Sequence, residues 1–194
     1  MTYHWLLFCP KLLSTPSSPR VMIWRRMRSF GSVGLDNGLW ILPRSEESEK
    51  FILEMKSYVE SQGGSSFVFL VDALEPATEE DIIDRFRLDR AEEYSEIVEQ
   101  CNDFLAEIEK ETLRQNYSFA EYEENEQDLA KLESWFEKVK KRDFLESEEA
   151  TGASVGLEEC RQALQKFATE VFNHEKDGTR EQKKATTPSN GIEL

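Results

Sequence analysis

Apolar and polar positions change period twice along this chain. Residues 3–9, Tyr-His-Trp-Leu-Leu-Phe-Cys, form a near-continuous apolar run that Pro10 ends. Its length suits a buried strand better than a helix. A Ser/Thr/Pro loop over residues 14–19 follows, and Ser18-Pro19 opens a helix, with Ser at the cap and Pro in the first helical position. Over residues 19–30 the spacing of Val21, Trp24 and Met27 predicts the buried stripe, with Ile23 and Phe30 flanking it and arginines on the rest; Gly31 stops the helix. Residues 32–35 and 39–43 read as two short strands joined by Asp36-Asn37-Gly38, a hairpin signal. An amphipathic helix over 46–62 carries Phe51, Ile52, Met55 and Val59 on one side, and Gly63-Gly64 terminates it. Residues 67–71 are a short apolar strand.

The order β-α-β-β-α-β predicts a ferredoxin-like domain over residues 1–76. In that arrangement a four-stranded antiparallel sheet has its first and third strands inside and two helices on one face. From Thr78 the period becomes helical throughout. One helix is expected over about 78–115, broken at Asn116-Tyr117-Ser118. A second follows with Tyr122, Leu129 and Phe136 seven apart and Leu132 and Val139 offset by three. Residues 145–154 are expected to join it to a third helix carrying Leu157, Cys160, Leu164, Phe167 and Val171. The expected fold is therefore α+β, with an acidic antiparallel three-helix bundle over 77–175. The polar stretch 176–194 is expected to be disordered.

Charge sharpens this division. Residues 1–44 carry six basic residues, Lys11, Arg20, Arg25, Arg26, Arg28 and Arg44, against Asp36 alone, a local balance of +5. The rest of the −15 chain therefore stands at −20. An anionic partner should meet the first 44 residues, and the acidic remainder should repel nucleic acid. No stretch approaches the ~18 apolar residues of a membrane span. No basic segment precedes the first apolar run either, so no membrane partner and a cytoplasmic location are expected. Cys9, Cys101 and Cys160 are widely spaced and sit in apolar patterns, which reads as reduced, buried thiols.

Candidate chemistry concentrates at the start of the first helix. Ser17, Ser18 and Arg20 put hydroxyls, backbone amides and a guanidinium at a helix N-terminus, an anion-binding arrangement, and Lys11 and Arg44 at strand ends are expected to converge on it. Arg25, Arg26 and Arg28 lie further along and suit phosphate-backbone contact with DNA. The competing reading makes all these arginines a solvated face. The two histidines, His4 and His174, form no Glu-x-x-His pair, so no metal or other cofactor is expected. There is also no nucleophile elbow, Walker loop or dinucleotide-binding glycine pattern, so no enzymatic activity is expected.

Several separated stretches resemble the N-terminal domain of ChrB proteins. They include Tyr3-His-Trp-Leu-Leu-Phe-Cys-Pro-Lys, Pro16-Ser-Ser-Pro-Arg-Val-Met-Ile-Trp-Arg-Arg-Met-Arg and Gly38-Leu-Trp-Ile-Leu-Pro. The resemblance continues through Asp89-Arg-Ala-Glu-Glu-Tyr, Asn116-Tyr-Ser-Phe-Ala-Glu-Tyr-Glu-Glu-Asn-Glu and Lys141-Arg-Asp-Phe, and spans roughly residues 3–174. It implies a chromate-responsive transcriptional regulator of resistance operons. The partners expected for this chain are chromate or another oxyanion, DNA and a second copy. Full-length members carry a further C-terminal domain; activity residing there is expected to be missing here. The first half also resembles the ferredoxin-like domain of PaaX-type repressors and of small CRISPR-associated nucleases. Where those nucleases place a catalytic aspartate, this chain has Cys9-Pro10-Lys11. The alternatives are a ligand-free interaction module and a thiol-dependent chromate reductase using Cys9.

Overall fold

The computed structural model describes residues 3–13, 15 and 17–185, with side chains through Lys176. Ten elements follow in order. They are β1 (Trp5–Lys11), α1 (Ser18–Phe30), β2 (Val33–Gly34), a 3₁₀ turn (Asp36–Gly38), β3 (Trp40–Pro43), α2 (Glu46–Ser61), β4 (Ser65–Val71), α3 (Pro76–Leu113), α4 (Phe119–Lys141) and α5 (Glu149–Ala185). Among the described residues no helix is long and apolar enough to cross a membrane. The chain divides into two compact units. The first comprises residues 1–93 and 138–147, the second residues 94–137 and 148–194. The division falls within α3 and α4, each of which contributes to both units.

Unit 1 holds a four-stranded antiparallel sheet in the order β2-β3-β1-β4, with β1 and β3 inside as expected. Strand alternation sorts its side chains onto two faces. Leu6, Phe8, Trp40 and Leu42 pack with Ile23 and Met27 of α1 and with Ile52, Met55 and Val59 of α2. Trp5, Val33 and Ile41 pack instead with Ile82 and Phe86 of α3. The Trp5 and Phe86 rings stack with centroids 5.6 Å apart. The expectation of helices on one face is therefore corrected. The expected pair occupies one face, and the first turns of α3 with Phe144 cover part of the other. That covering is not legible from residues 3–72 because it comes from outside them.

Local chemistry explains the remaining boundaries. Pro10 does not end β1: it lies within the strand, opposite Ser66. Pairing of β1 with β3 stops at Phe8–Trp40, so the strand is open on that side at Pro10, where a missing N–H costs no ladder bond. The hairpin between β2 and β3 forms as expected; Asn37 and Gly38 take φ of 61° and 76°, the left-handed values that favour Asn and Gly. Ser45 caps α2 by accepting a hydrogen bond from the Ser48 amide at 3.0 Å.

Unit 2 is helical. Tyr94, Ile97, Cys101, Phe104 and Ile108 of α3 are buried, as are Leu129 and Phe136 of α4 and Leu157, Cys160, Leu164, Phe167 and Val171 of α5. Cross-helix contacts join all three. Phe136 meets Tyr94 at 5.9 Å between centroids, Cys160 Sγ lies 3.5 Å from the Cys101 carbonyl, and Arg161 Nε donates to Glu133 at 2.6 Å. The join expected at 145–154 is shorter, because α5 already begins at Glu149. The tail expected from 176 begins instead as helix, which continues to Ala185; residues 186–194 lie outside those described.

Candidate anion cleft at the start of α1

The open side of β1 beyond Phe8 creates a cleft. There β1 continues while β3 has ended, and the hairpin tip and the first turns of α1 close the remaining sides. The space is about 610 Å³, lined by Pro10, Lys11, Leu12, Ser17, Arg20, Val21, Ile23, Trp24, Asn37, Gly38 and Trp40. Among the described residues, no lining residue is acidic. The turn into β4 fixes the end of β1: a Cβ at Gly64 would lie 2.6 Å from the Lys11 carbonyl oxygen, so only glycine passes there.

The start of α1 adds to this. Its N-cap is Ser17, one residue earlier than expected, and the Ser17 side chain makes no capping hydrogen bond. No acid stands in the first turn. The helix thus starts without a cap from the Ser17 side chain, at the positive end of its dipole, beside Lys11 and Arg20.

Of the five residues expected at this site, Lys11, Ser17 and Arg20 converge on the cleft. Ser18 opens α1 and is exposed, but does not line it. Arg44 does not converge either. Its amide donates to the His4 carbonyl at 2.8 Å and its Nε to Glu49 at 2.7 Å. That is the opposite end of the sheet, about 20 Å from Lys11 at strand rise. Antiparallel pairing places the end of β3 beside the start of β1, not its end. The three arginines assigned to DNA do not act as one free row. Arg26 bonds Glu54 at 3.1 Å and lies over the Phe51 ring, and Arg28 bonds Asp89 at 2.7 Å, while Arg25 is exposed.

Trp24 and Trp40 are the cleft residues that the sequence pattern does not reveal. Val21 and Trp24 were assigned to the buried stripe of α1, yet they are 43% and 56% exposed. The buried face is Pro19, Ile23 and Met27, a clean i, i+4, i+8 row. An exposed tryptophan beside an apolar cleft is the signal that could have marked the site.

A second charged group lies within unit 1. Arg90 is 5% exposed, and its Nη1 lies 3.0 Å from Glu93. Glu93 also accepts from Arg142 through both Nε and Nη2. Desolvation holds the Arg90 guanidinium below the ordinary arginine range, with Glu93 opposing that shift. Two of the stretches that carry the ChrB resemblance, 89–94 and 141–144, contain these partners. The group acts as an internal brace between α3 and residue 142.

The thiols are shifted away from reactivity. Burial pushes Cys9 and Cys101 above the usual thiol range; burial and the neighbouring Cys101 push Cys160 up to about 12. A raised pKa leaves less thiolate at any pH near neutrality, and the fraction grows as pH rises. With an aromatic disulfide reagent near pH 8, the half-buried Cys9 is expected to react alone and slowly, faster at higher pH. Cys101 and Cys160 are expected to react only on unfolding. Equal native rates for all three would contradict this.

The bundle offers a different kind of cleft, about 730 Å³, where the carboxylates Glu107, Glu111, Glu121, Glu124 and Asp128 outnumber the basic Lys110 and Arg114. It would repel an anion. No group of three or more His, Cys, Asp or Glu able to hold a metal occurs among the described residues. Comparison with known proteins finds no match among curated proteins or solved structures. The family model described as "Protein ChrB, N-terminal" does match, over residues 20–178, from the cleft-lining Arg20 of α1 onward, and by that match this chain belongs to the ChrB N-terminal family.

Proposed function

We propose that this chain is a non-catalytic regulatory module of chromate resistance that reads an anion in the cleft at the start of α1. Family membership supports the chromate association. The observation that carries the reading is the cleft itself: Lys11, Arg20 and a helix start that Ser17 does not cap, around a space with no acid among the described residues, in a chain of net charge −15. The order β2-β3-β1-β4, with α1 after β1 and α2 after β3, supports describing unit 1 as ferredoxin-like. The raised thiol of Cys9 speaks against thiol-dependent reduction, which needs the opposite shift.

Calorimetric titration with chromate, and with sulfate as a non-oxidising tetrahedral control, tests this. Arg20→Ala and Lys11→Ala are each expected to weaken binding by about 1.5–3 kcal/mol, the worth of a charge-assisted hydrogen bond. Arg44→Ala, at the far end of the sheet, is expected to leave it unchanged. Equal affinity in all three variants would remove the cleft from the mechanism. Where regulation acts through DNA, Arg25 is the arginine of α1 placed to meet phosphate, since Arg26 and Arg28 hold acids within the chain.

A further inference from the structure

β4 closes one end of the sheet and, among the described residues, hydrogen-bonds on one side only, to β1. Its outer edge therefore presents a row of backbone donors and acceptors along seven residues. Natural edges are usually blunted by lysine, proline, a bulge or shortness, and Ser65–Val71 has none of these. Instead Phe67 and Phe69 stand side by side on it, 65% and 48% exposed, with ring centroids 6.1 Å apart. Leu70 is 53% exposed on the other face of the same strand.

We propose that the β4 edge pairs antiparallel with the β4 edge of a second copy of this chain, joining two sheets into one. A strand edge requires a strand as its partner, because only a strand meets every other backbone group along the row. The choice of a second copy rests on charge and on symmetry. In a chain this acidic, two identical surfaces ordinarily repel; Ser65–Val71 carries no charge at all. Antiparallel pairing about a two-fold axis at Val68 sets Phe67 of each copy opposite Phe69 of the other. It sets Ser66 opposite Leu70 and Ser65 opposite Val71. Asp72, the nearest acid after the strand, then falls opposite Gly64, so no like charges meet. The four phenylalanines form one continuous apolar strip across the joint. The pairing stands apart from the anion cleft, since it uses none of the cleft-lining residues.

Sedimentation equilibrium on the full chain, over a wide concentration range, tests the pairing. The wild type is expected to dimerise. Phe67→Lys/Phe69→Lys and Phe67→Glu/Phe69→Glu place like charges across the joint and are each expected to be monomeric. Both positions are exposed, so unchanged far-ultraviolet circular dichroism is expected for each. Mixing the two variants is expected to restore a one-to-one dimer, weakened by salt. A wild type that stays monomeric overturns the proposal. So does a lysine variant that still dimerises, or a mixture that does not pair.

Discussion

Glu93→Ala is expected to destabilise unit 1 by about 3–5 kcal/mol, the cost of leaving buried charge uncompensated. Glu93 bonds Arg142 through two nitrogens and lies 3.0 Å from Arg90 Nη1. The side chains of Arg90 and Arg142 are 7% and 15% exposed, so without the carboxylate two guanidinium groups would face each other largely out of water. Asp89 and Asp143 also act favourably on Arg90, as weaker charges than Glu93, and Asp89 is held by Arg28 at 2.7 Å. Urea unfolding followed by tryptophan fluorescence in a Trp135→Phe background, where Trp5, Trp24 and Trp40 emit, reads unit 1. The double variant Arg90→Met/Glu93→Ala is expected to recover much of the loss, because an apolar side chain of similar length needs no counter-charge. A loss below about 1 kcal/mol for Glu93→Ala would mean that water reaches Arg90 freely.

This brace also marks the limit of what the sequence reveals. The strands and helices follow from local signals: the apolar run of β1, the Asp36-Asn37-Gly38 turn, the Ser45 cap, the heptads of α4. Each acts over a few residues and is readable within them. The pairing of Arg90 and Glu93 with Arg142, some fifty residues apart, has no local signature; neither does the packing of Ile82 and Phe86 onto the second face of the sheet. The cleft was legible in part for the same reason. Lys11, Ser17 and Arg20 announce themselves by charge and cap chemistry near one helix start. Arg44 was misplaced because proximity to the end of a strand does not say which end of the sheet that is. Trp24 was misread because two apolar rows run along α1, and the row through Val21 competes with the true buried row through Pro19, Ile23 and Met27. The core decided between them: Ile23 is 3% exposed while Trp24 is 56% exposed.

Phe136→Ala carries the corresponding prediction for unit 2. Phe136 is 9% exposed and its ring lies 5.9 Å from that of Tyr94, which is fully buried. Truncation removes the ring and leaves a cavity that long, continuous helices close poorly, because α4 cannot shift at one position without moving its neighbours. The expected cost is about 3–5 kcal/mol, of which about 0.5–1.5 kcal/mol is the aromatic pair itself. Phe136→Leu keeps most of the volume and is expected to lose much less. The adjacent Trp135 reports on this helix, so its fluorescence and the helical dichroism should lose their native values together. The partition of the loss is informative as well. If Tyr94→Leu and Phe136→Leu are additive, the two rings contribute only by filling space; a coupling energy in the double variant isolates the ring–ring contact. A loss below about 1 kcal/mol for Phe136→Ala would mean that the face of α4 carrying Leu129 and Phe136 is not the one that holds the bundle together.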